Sequence, residues 1–395
     1  MKQSISGNQI SSVLKKLQPL VDAHITPERL RRYVTSISSV ATPSTAASAI
    51  RNPILKKLLR EDGAFAGGYL HFQDNFANTG STAILTGSND PGKALWYFAH
   101  LDTLSYLVQP QQGTRYPLVP FGHHLIRDGS RRAIAYRFDL SKCDYFVVAN
   151  GRLESADQRP FFEPENSSTQ LKSGDRVVFS ATYQEDPISG DLSAHIDNAG
   201  AVAALATAAP VLAAARIEAL LAFPDEEEGP LGSGNQVIGR GSARIVNLLP
   251  VPDLVIVSDV QQAGGEAQAD TRGGIENSTR LGNGAVLAEF SSFARGAVTP
   301  PHLYALAVSL ADSLRDFGVK IQESNNAYTS RSDDVSALLK TPNVLLLGFP
   351  GFNRHFDLGT PRANLHDLVS LSKAFVYFAV LSSELRRIQD QLARK

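Results

Sequence analysis

Residues 193–229 read SAHIDNAGAVAALATAAPVLAAARIEALLAFPDEEEG, and this stretch decides the fold. Asp197 opens an alanine-rich run, 198–215, whose composition predicts a helix. The short apolar run IEALLAF, 217–223, has the pattern of a buried strand, and an acidic cluster from Asp225 to Glu228 follows where it ends. Further on, GSGNQVIGRGSARIV (232–246) reads as helix-like and DLVIVS (253–258) as another strand, with Asp259 directly after it. Strands alternating with helices predict a mostly parallel sheet covered on both faces. Asp197 and Glu227 are 30 residues apart, and Glu227 and Asp259 are 32 apart. Each spacing is about one βαβ unit, which predicts that successive acidic residues come to neighbouring strands.

Working outward, residues 1–62 read as a helical extension, with helices at 11–24, 26–37 and 49–62 and a cap at Thr26-Pro27-Glu28. Strands are expected at 68–75, 82–88 and 94–99, the last leading directly into His100-Leu101-Asp102. The stretch 105–190 has a different texture. Short β-type runs (132–140, 144–153, 175–183) alternate with Gly, Pro, Asn and Asp and show no long helical period. It reads as a small all-β, barrel-like insert in a larger α/β domain made of 1–104 and 191–395. Beyond Asp259, strands are expected at 284–290, 319–324 and 343–349. Helices are expected at 300–318 and 335–340, with a final one at 366–393.

The chain has 395 residues, 43% of them hydrophobic, which allows a large core and more than one domain. A net charge of −1 gives no electrostatic case for nucleic acid or an anionic membrane surface. A single cysteine, Cys143, excludes an internal disulfide framework and fits a reducing compartment; it is expected as a buried thiol in an apolar strand. The N-terminus lacks an uninterrupted apolar core of signal-peptide type, and no run reaches spanning length, so a cytoplasmic protein is expected. The glycine-rich patches lack a following Gly-Lys-Ser/Thr and make no phosphate loop.

Five residues of metal-ligand type fall where apolar runs end: His100, Asp197, Glu227, Asp259 and His355. In open α/β sheets, sites are built at the carboxyl ends of strands. Hydrolysis of an amide near neutral pH needs a strong nucleophile and a stabilised oxyanion. Two divalent ions about 3.5–4 Å apart supply both. Such a pair needs one bridging carboxylate, terminal ligands and a separate carboxylate that moves the proton. Asp197 is the candidate bridge, His100 with Asp259 and Glu227 with His355 the two shells, Asp102 the group that orients His100, and Glu226 the general base. Zinc suits imidazole plus carboxylate; cobalt or manganese fits the same set.

Taken singly, each residue has a plainer explanation. Asp197 is a good helix N-cap, Asp259 also caps, and DEEEG resembles a solvated acidic turn. Their joint occurrence, in order and at strand ends, favours the metal site. His195 reads as a packing or hydrogen-bonding neighbour, His123 and His124 as surface or substrate-rim residues, and His71 and His302 as structural. Asp333, in RSDDVSAL, is a candidate supporting residue, and His366 is a weaker rival to His355.

The motifs AHLDT, SGDRVVF followed by SAHIDNAGA, DEEEGPLGS, VSDV and RHF ahead of ANLHDLVSL occur in this order over roughly 70–385. In these the sequence resembles the co-catalytic two-metal aminopeptidases, most closely the glutamyl, deblocking or tetrahedral (TET-type) family. The resemblance implies a zinc-exopeptidase-like catalytic domain with a β-barrel insert, two metal ions, a peptide substrate and a homo-oligomer. In that family's E-E-x-G run the first Glu is the base and the second a ligand, which here gives Glu226 and Glu227, with Glu228 before Gly229. Three glutamates after Asp225 leave that register open by one residue. The sequence departs from the family in its long helical N-terminus and in FDLGTPRAN, where S-P-x-E is usual after the last histidine. A two-metal deacylase acting on N-acyl amino acids shares this ligand order; a silent homologue serving as a binding or assembly module is the other alternative, and the complete ligand set argues against it.

Overall fold

The computed structural model describes residues 7–229, 239–266 and 274–394. Helices α1 (Gly7–His24), α2 (Pro27–Ser38) and α3 (Ala47–Glu61) come first. Thr26 caps α2 by accepting the Arg29 N–H, and Pro27 takes the first turn, where its missing N–H costs nothing. The apolar faces of this extension, with Leu14, Val21, Leu30, Val34, Leu55 and Leu59, are buried in the largest core cluster. The extension is therefore part of the domain core. Strands β1 (Leu70–Gln73), β2 (Thr82–Thr86) and β3 (Leu95–Phe98) follow.

Six strands then form a closed antiparallel barrel: β4 (Ser105–Val108), β5 (Tyr116–Phe121), β6 (Gly129–Asp139), β7 (Asp144–Ala156), β8 (Arg159–Pro164) and β9 (Arg176–Phe179). Their order is β4-β5-β8-β7-β6-β9, closed by pairing of β9 with β4, so no edge is left exposed. Tyr106, Tyr116, Leu153, Phe162, Val177 and Phe179 fill it. Cys143 is not the buried strand residue expected. It is exposed in the β6–β7 turn with φ 50°, because the hairpin reverses between Asp139 and Asp144.

The chain returns through β10 (Gln184–Glu185) and β11 (Asp191–Ser193) to α4 (Ile196–Ala214) and β12 (Ala219–Phe223). Next come α5 (Arg240–Leu248), β13 (Leu254–Val257), β14 (Val260–Gln262), β15 (Ala285–Ala288), α6 (Pro301–Leu314), β16 (Ile321–Glu323) and α7 (Asp334–Ala337). Last are β17 (Val344–Gly351), β18 (Arg362–Asn364), α8 (Leu365–Phe378) and α9 (Leu381–Ala393). The single final helix expected is two, bent by 46° at the junction. Residues 232–238 of the helix-like run 232–246 lie outside the described residues, and α5 begins at Arg240.

The main sheet runs β1-β2-β12-β3-β13-β17-β15-β16, with β14 paired to β17. Its centre, β12-β3-β13-β17, is parallel, and β2 and β15 flank that centre antiparallel. Alternation along each strand feeds two cores. Leu95, Tyr97, Leu221 and Ile256 face α1, α2, α4, α6 and α8; Trp96, Phe98, Leu220 and Val255 face α5 and α7. Helix α4 is long and apolar enough to cross a membrane by composition, but it is entirely buried as the core helix of this layer. Its alanines let α2 and α8 approach closely.

Two expectations need correction. β12 and β13 are not neighbours: β3 lies between them, which puts His100 between the strands that lead to Glu227 and Asp259. Asp197 does not follow a strand of the main sheet; it sits in the first turn of α4, after β11, which pairs with β10 and β18 in a separate small sheet.

Gly348 of β17 shows how tightly these strand ends are fitted, since a Cβ there would lie 2.0 Å from the Asp259 carbonyl oxygen. Gly348→Ala is expected to lower unfolding free energy by about 1–3 kcal/mol in denaturant titration. A change below about 0.5 kcal/mol would mean that β17 can move away from Asp259.

Candidate metal centre

His100 follows β3, fully buried, and its environment fixes its tautomer. Nδ1 lies 3.1 Å from the Asp102 carbonyl oxygen, so it carries the proton and donates there. Nε2 is then the ring nitrogen left facing inward. It lies 3.3 Å from Asp197 Oδ1, 3.6 Å from Glu227 Oε2 and 3.7 Å from Asp259 Oδ1, and has no hydrogen-bond partner. The Asp102 carboxylate does something else. Oδ1 accepts the Glu227 N–H at 3.0 Å, while Oδ2 accepts the Glu228 N–H at 3.2 Å and the Ser44 hydroxyl at 2.6 Å. Asp102 thus clamps the acidic loop after β12 to the loop after β3. Asp225 ties the same loop to the helical extension, accepting the Thr45 and Ala47 N–H groups.

Within the acidic run, neighbouring side chains diverge. Glu226, with φ 65°, pairs with Arg244 at 2.7 Å and Arg240 at 3.6 Å on α5. The expected base is therefore engaged away from His100. Glu227 faces His100, and Glu228 lies 3.8 Å from His355 Nε2, which is 3.7 Å from Asp197 Oδ2. Among the described residues, two groups have the spacing of metal ligands: His100, Asp197 and Asp259; and Asp197, Glu228 and His355. Asp197 belongs to both. The second is completed by Glu228, where the sequence reading placed Glu227, a shift of one residue.

The donor set fits divalent cations. Asp197 Oδ1 and His100 Nε2 are buried polar atoms without hydrogen-bond partners. Burial first, and then the Asp259 charge, push Asp197 up to about 6. Burial also drives Glu227 and Glu228 well above the usual carboxylate range. Burial opposes protonation of His100, but the Glu227 charge and its contacts with Asp102, Asp197 and Asp259 outweigh that and raise it well above the ordinary value. Such a site holds extra protons or cations, because several buried carboxylates so close together are otherwise too costly.

The barrel supports the second group. His123, before β6, stacks on His355 with ring centroids 5.4 Å apart, and Phe179 of β9 stacks on Phe356 at 4.7 Å. Arg131 of β6 donates to the Phe356 and Asp357 carbonyls at 3.1 and 3.0 Å. At Gly122, φ is 109° and a Cβ would lie 2.0 Å from the Glu228 carbonyl oxygen, so only glycine lets barrel and acidic loop meet.

Other residues singled out by sequence fall into place. His195 is buried, accepts the Ala181 N–H at Nε2, and is pushed down to about 3 by burial and by Arg51. His124 bonds Tyr106 and Ser155; His71 contacts the Gly87 carbonyl; His302 lies on α6; His366 is exposed at the start of α8. None of these belongs to either group. Asp333 is buried, with both oxygens lacking a hydrogen bond, and burial pushes it up to about 7. A cavity of about 200 Å³ opens onto Asp197, Glu227, Glu228, Asp259 and His355. Sequence reading missed Arg295, Arg331 and Arg354 in its wall. Arg331 and Arg354 stand in RSDDVSAL and RHF and Arg295 in SSFARG, and none of the three carries a pattern of its own.

Asp102→Ala leaves two buried N–H groups of the acidic loop without their acceptor. Metal affinity, measured by competition with a chelating dye, is expected to fall about 10–100-fold. Unchanged affinity would show that the loop holds its position without the clamp.

No protein-family model matches the sequence. A search among curated proteins finds no match. Solved structures match over nearly the whole chain. TET1 peptidase of Pyrococcus horikoshii, which can assemble into a tetrahedron or a large octahedral shell, is 17% identical with a TM-score of 0.63, covering 89% of this chain and 98% of that one. An aminopeptidase from the archaeon Desulfurococcus kamchatkensis is 16% identical with a TM-score of 0.68, covering 91% and 98%. The TET aminopeptidase of Thaumarchaeota archaeon SCGC AB-539-E09 is 13% identical with a TM-score of 0.68, covering 91% and 99%. The chain has the fold of these TET-type aminopeptidases.

Proposed function

We propose that this chain is a metal-dependent aminopeptidase that removes N-terminal residues from short peptides. The supporting observation is that Asp197 is shared by two adjacent ligand groups. His100 and Asp259 would hold one divalent ion, Glu228 and His355 the other, with Asp197 between them. Zinc is the first choice, with cobalt or manganese suited to the same donors. When bound, the pair lowers the pKa of water and polarises the substrate carbonyl. The chain's own residues do the rest. Asp102 holds His100 Nδ1–H through its carbonyl, keeping Nε2 available as a donor atom. Glu227 is the group left to move the proton, since Glu228 faces His355 and Glu226 is engaged by Arg240 and Arg244. Its burial raises its proton affinity, the direction a general base needs near neutral pH. By extension from the TET1 assemblies, the chain is proposed to form a homo-oligomer.

A second reading, hydrolysis of N-acyl amino acids, is favoured by the three arginines in the cavity wall, which suit a substrate carboxylate. Unblocked di- and tripeptides and N-acetyl amino acids, assayed side by side on metal-loaded enzyme, separate the two. Cleavage of the unblocked peptides alone supports the aminopeptidase; cleavage of the acetylated compounds alone supports the deacylase. Chelation is expected to abolish turnover and added zinc, cobalt or manganese to restore it. Glu227→Gln is expected to keep its metal and lose about 10²–10⁴-fold in kcat. Glu226→Gln is expected to stay within about tenfold of the parent; the reverse result would return the base to Glu226.

A further inference from the structure

Arg295, Arg331 and Arg354 line the same cavity as the two ligand groups. Among the described residues, no carboxylate lies within ion-pairing distance of any of the three, although Arg31, Arg137, Arg240, Arg244, Arg362 and others are all paired. A guanidinium presents five donors in a planar fork matched to a carboxylate. Three of them in the wall of one small cavity, none in a close ion pair, offer a receptor for an anion, with Arg354 also in the field of Asp197, Asp259 and Glu228.

The placement is built. Arg295 follows a turn in which Ser292, Phe293 and Ala294 all have positive φ, of 49°, 54° and 62°. Such backbone is unfavourable for these residues and persists only where the surroundings enforce it. Here Asp334, fully buried, accepts the Ser291 hydroxyl at 2.5 Å and the Ala297 N–H at 2.7 Å, and the Ser292 N–H donates to the Thr329 carbonyl at 2.7 Å. Arg354 immediately precedes His355, so it stands beside the second ligand group.

The cavity wall thus carries both carboxylates and arginines, and Arg354 lies in the field of Asp197, Asp259 and Glu228. At about 200 Å³ it is smaller than the roughly 300–1,000 Å³ typical of drug-sized ligand sites. We propose that Arg295, Arg331 and Arg354 bind the free terminal carboxylate on the leaving part of the substrate, so that the enzyme selects dipeptide-sized molecules over long chains. The proposal rests on the peptide-hydrolase reading above and adds to it what the cavity recognises. A long peptide would place neutral amides against three cations, whereas a dipeptide places its carboxylate there.

The test separates binding from turnover. The probe is alanyl-alanine with its amide replaced by a –CH₂–NH– link, which cannot be hydrolysed. Its binding to the metal-loaded protein is measured by calorimetry beside its C-terminal carboxamide and a glutamyl analogue of that carboxamide. The acid is expected to bind at least about tenfold more tightly than the carboxamide, since charge-assisted pairs are the strong ones. The Arg295→Gln/Arg331→Gln variant is expected to bind acid and carboxamide alike. Equal binding by the parent protein overturns the proposal and leaves the arginines as counter-charges for the acidic cluster. Tight binding of the glutamyl carboxamide with no preference for the terminal acid also overturns it, in favour of side-chain recognition. If the acid is preferred but no peptide is cleaved, the carboxylate site stands and the aminopeptidase reading fails.

Discussion

The site depends on the Asp102 carboxylate accepting two consecutive backbone N–H groups, those of Glu227 and Glu228. A loop with four acidic residues in a row would spread away from itself in water. Here it is fixed at a buried strand end, where each N–H needs an acceptor. Asp102 supplies acceptors for two of them and also fixes the His100 tautomer through its own carbonyl. One residue therefore couples the loops after β3 and β12, and the register of the acidic run follows from it.

The two additions to the sheet serve that arrangement. The helical extension brings Ser44 to Asp102 and the Thr45 and Ala47 N–H groups to Asp225. The barrel brings Gly122 against Glu228 and Arg131 against the loop that carries His355. Of the proposed ligands, His100 and Asp259 stand at the parallel centre of the sheet, whereas His355 stands on a loop braced from the insert.

Much of this was legible in the sequence. Alternating apolar runs and helices gave the α/β sheet, and the loss of helical period after 105 marked the β-type insert. Four members of the two groups, His100, Asp197, Asp259 and His355, were visible as ligand-type side chains near apolar runs, whereas Glu228 was not singled out. Three features were not. Strand order was misjudged because spacing along the chain is blind to β3 entering from upstream between β12 and β13. Identical neighbours in DEEE cannot be told apart by pattern; in the fold Arg240 and Arg244 draw Glu226 to α5, while Glu227 faces His100 and Glu228 faces His355. The arginines of the cavity escaped because they come from separate segments and meet only in the fold.

Metal content per chain, measured by elemental analysis on parent protein and on Asp197→Asn loaded with zinc, tests the shared-ligand arrangement most directly. The parent is expected to hold two ions, and loss of the bridging carboxylate to lower affinity at both positions together. Two tightly held ions in Asp197→Asn, or no bound metal in the parent at saturating zinc, would contradict a centre built around Asp197.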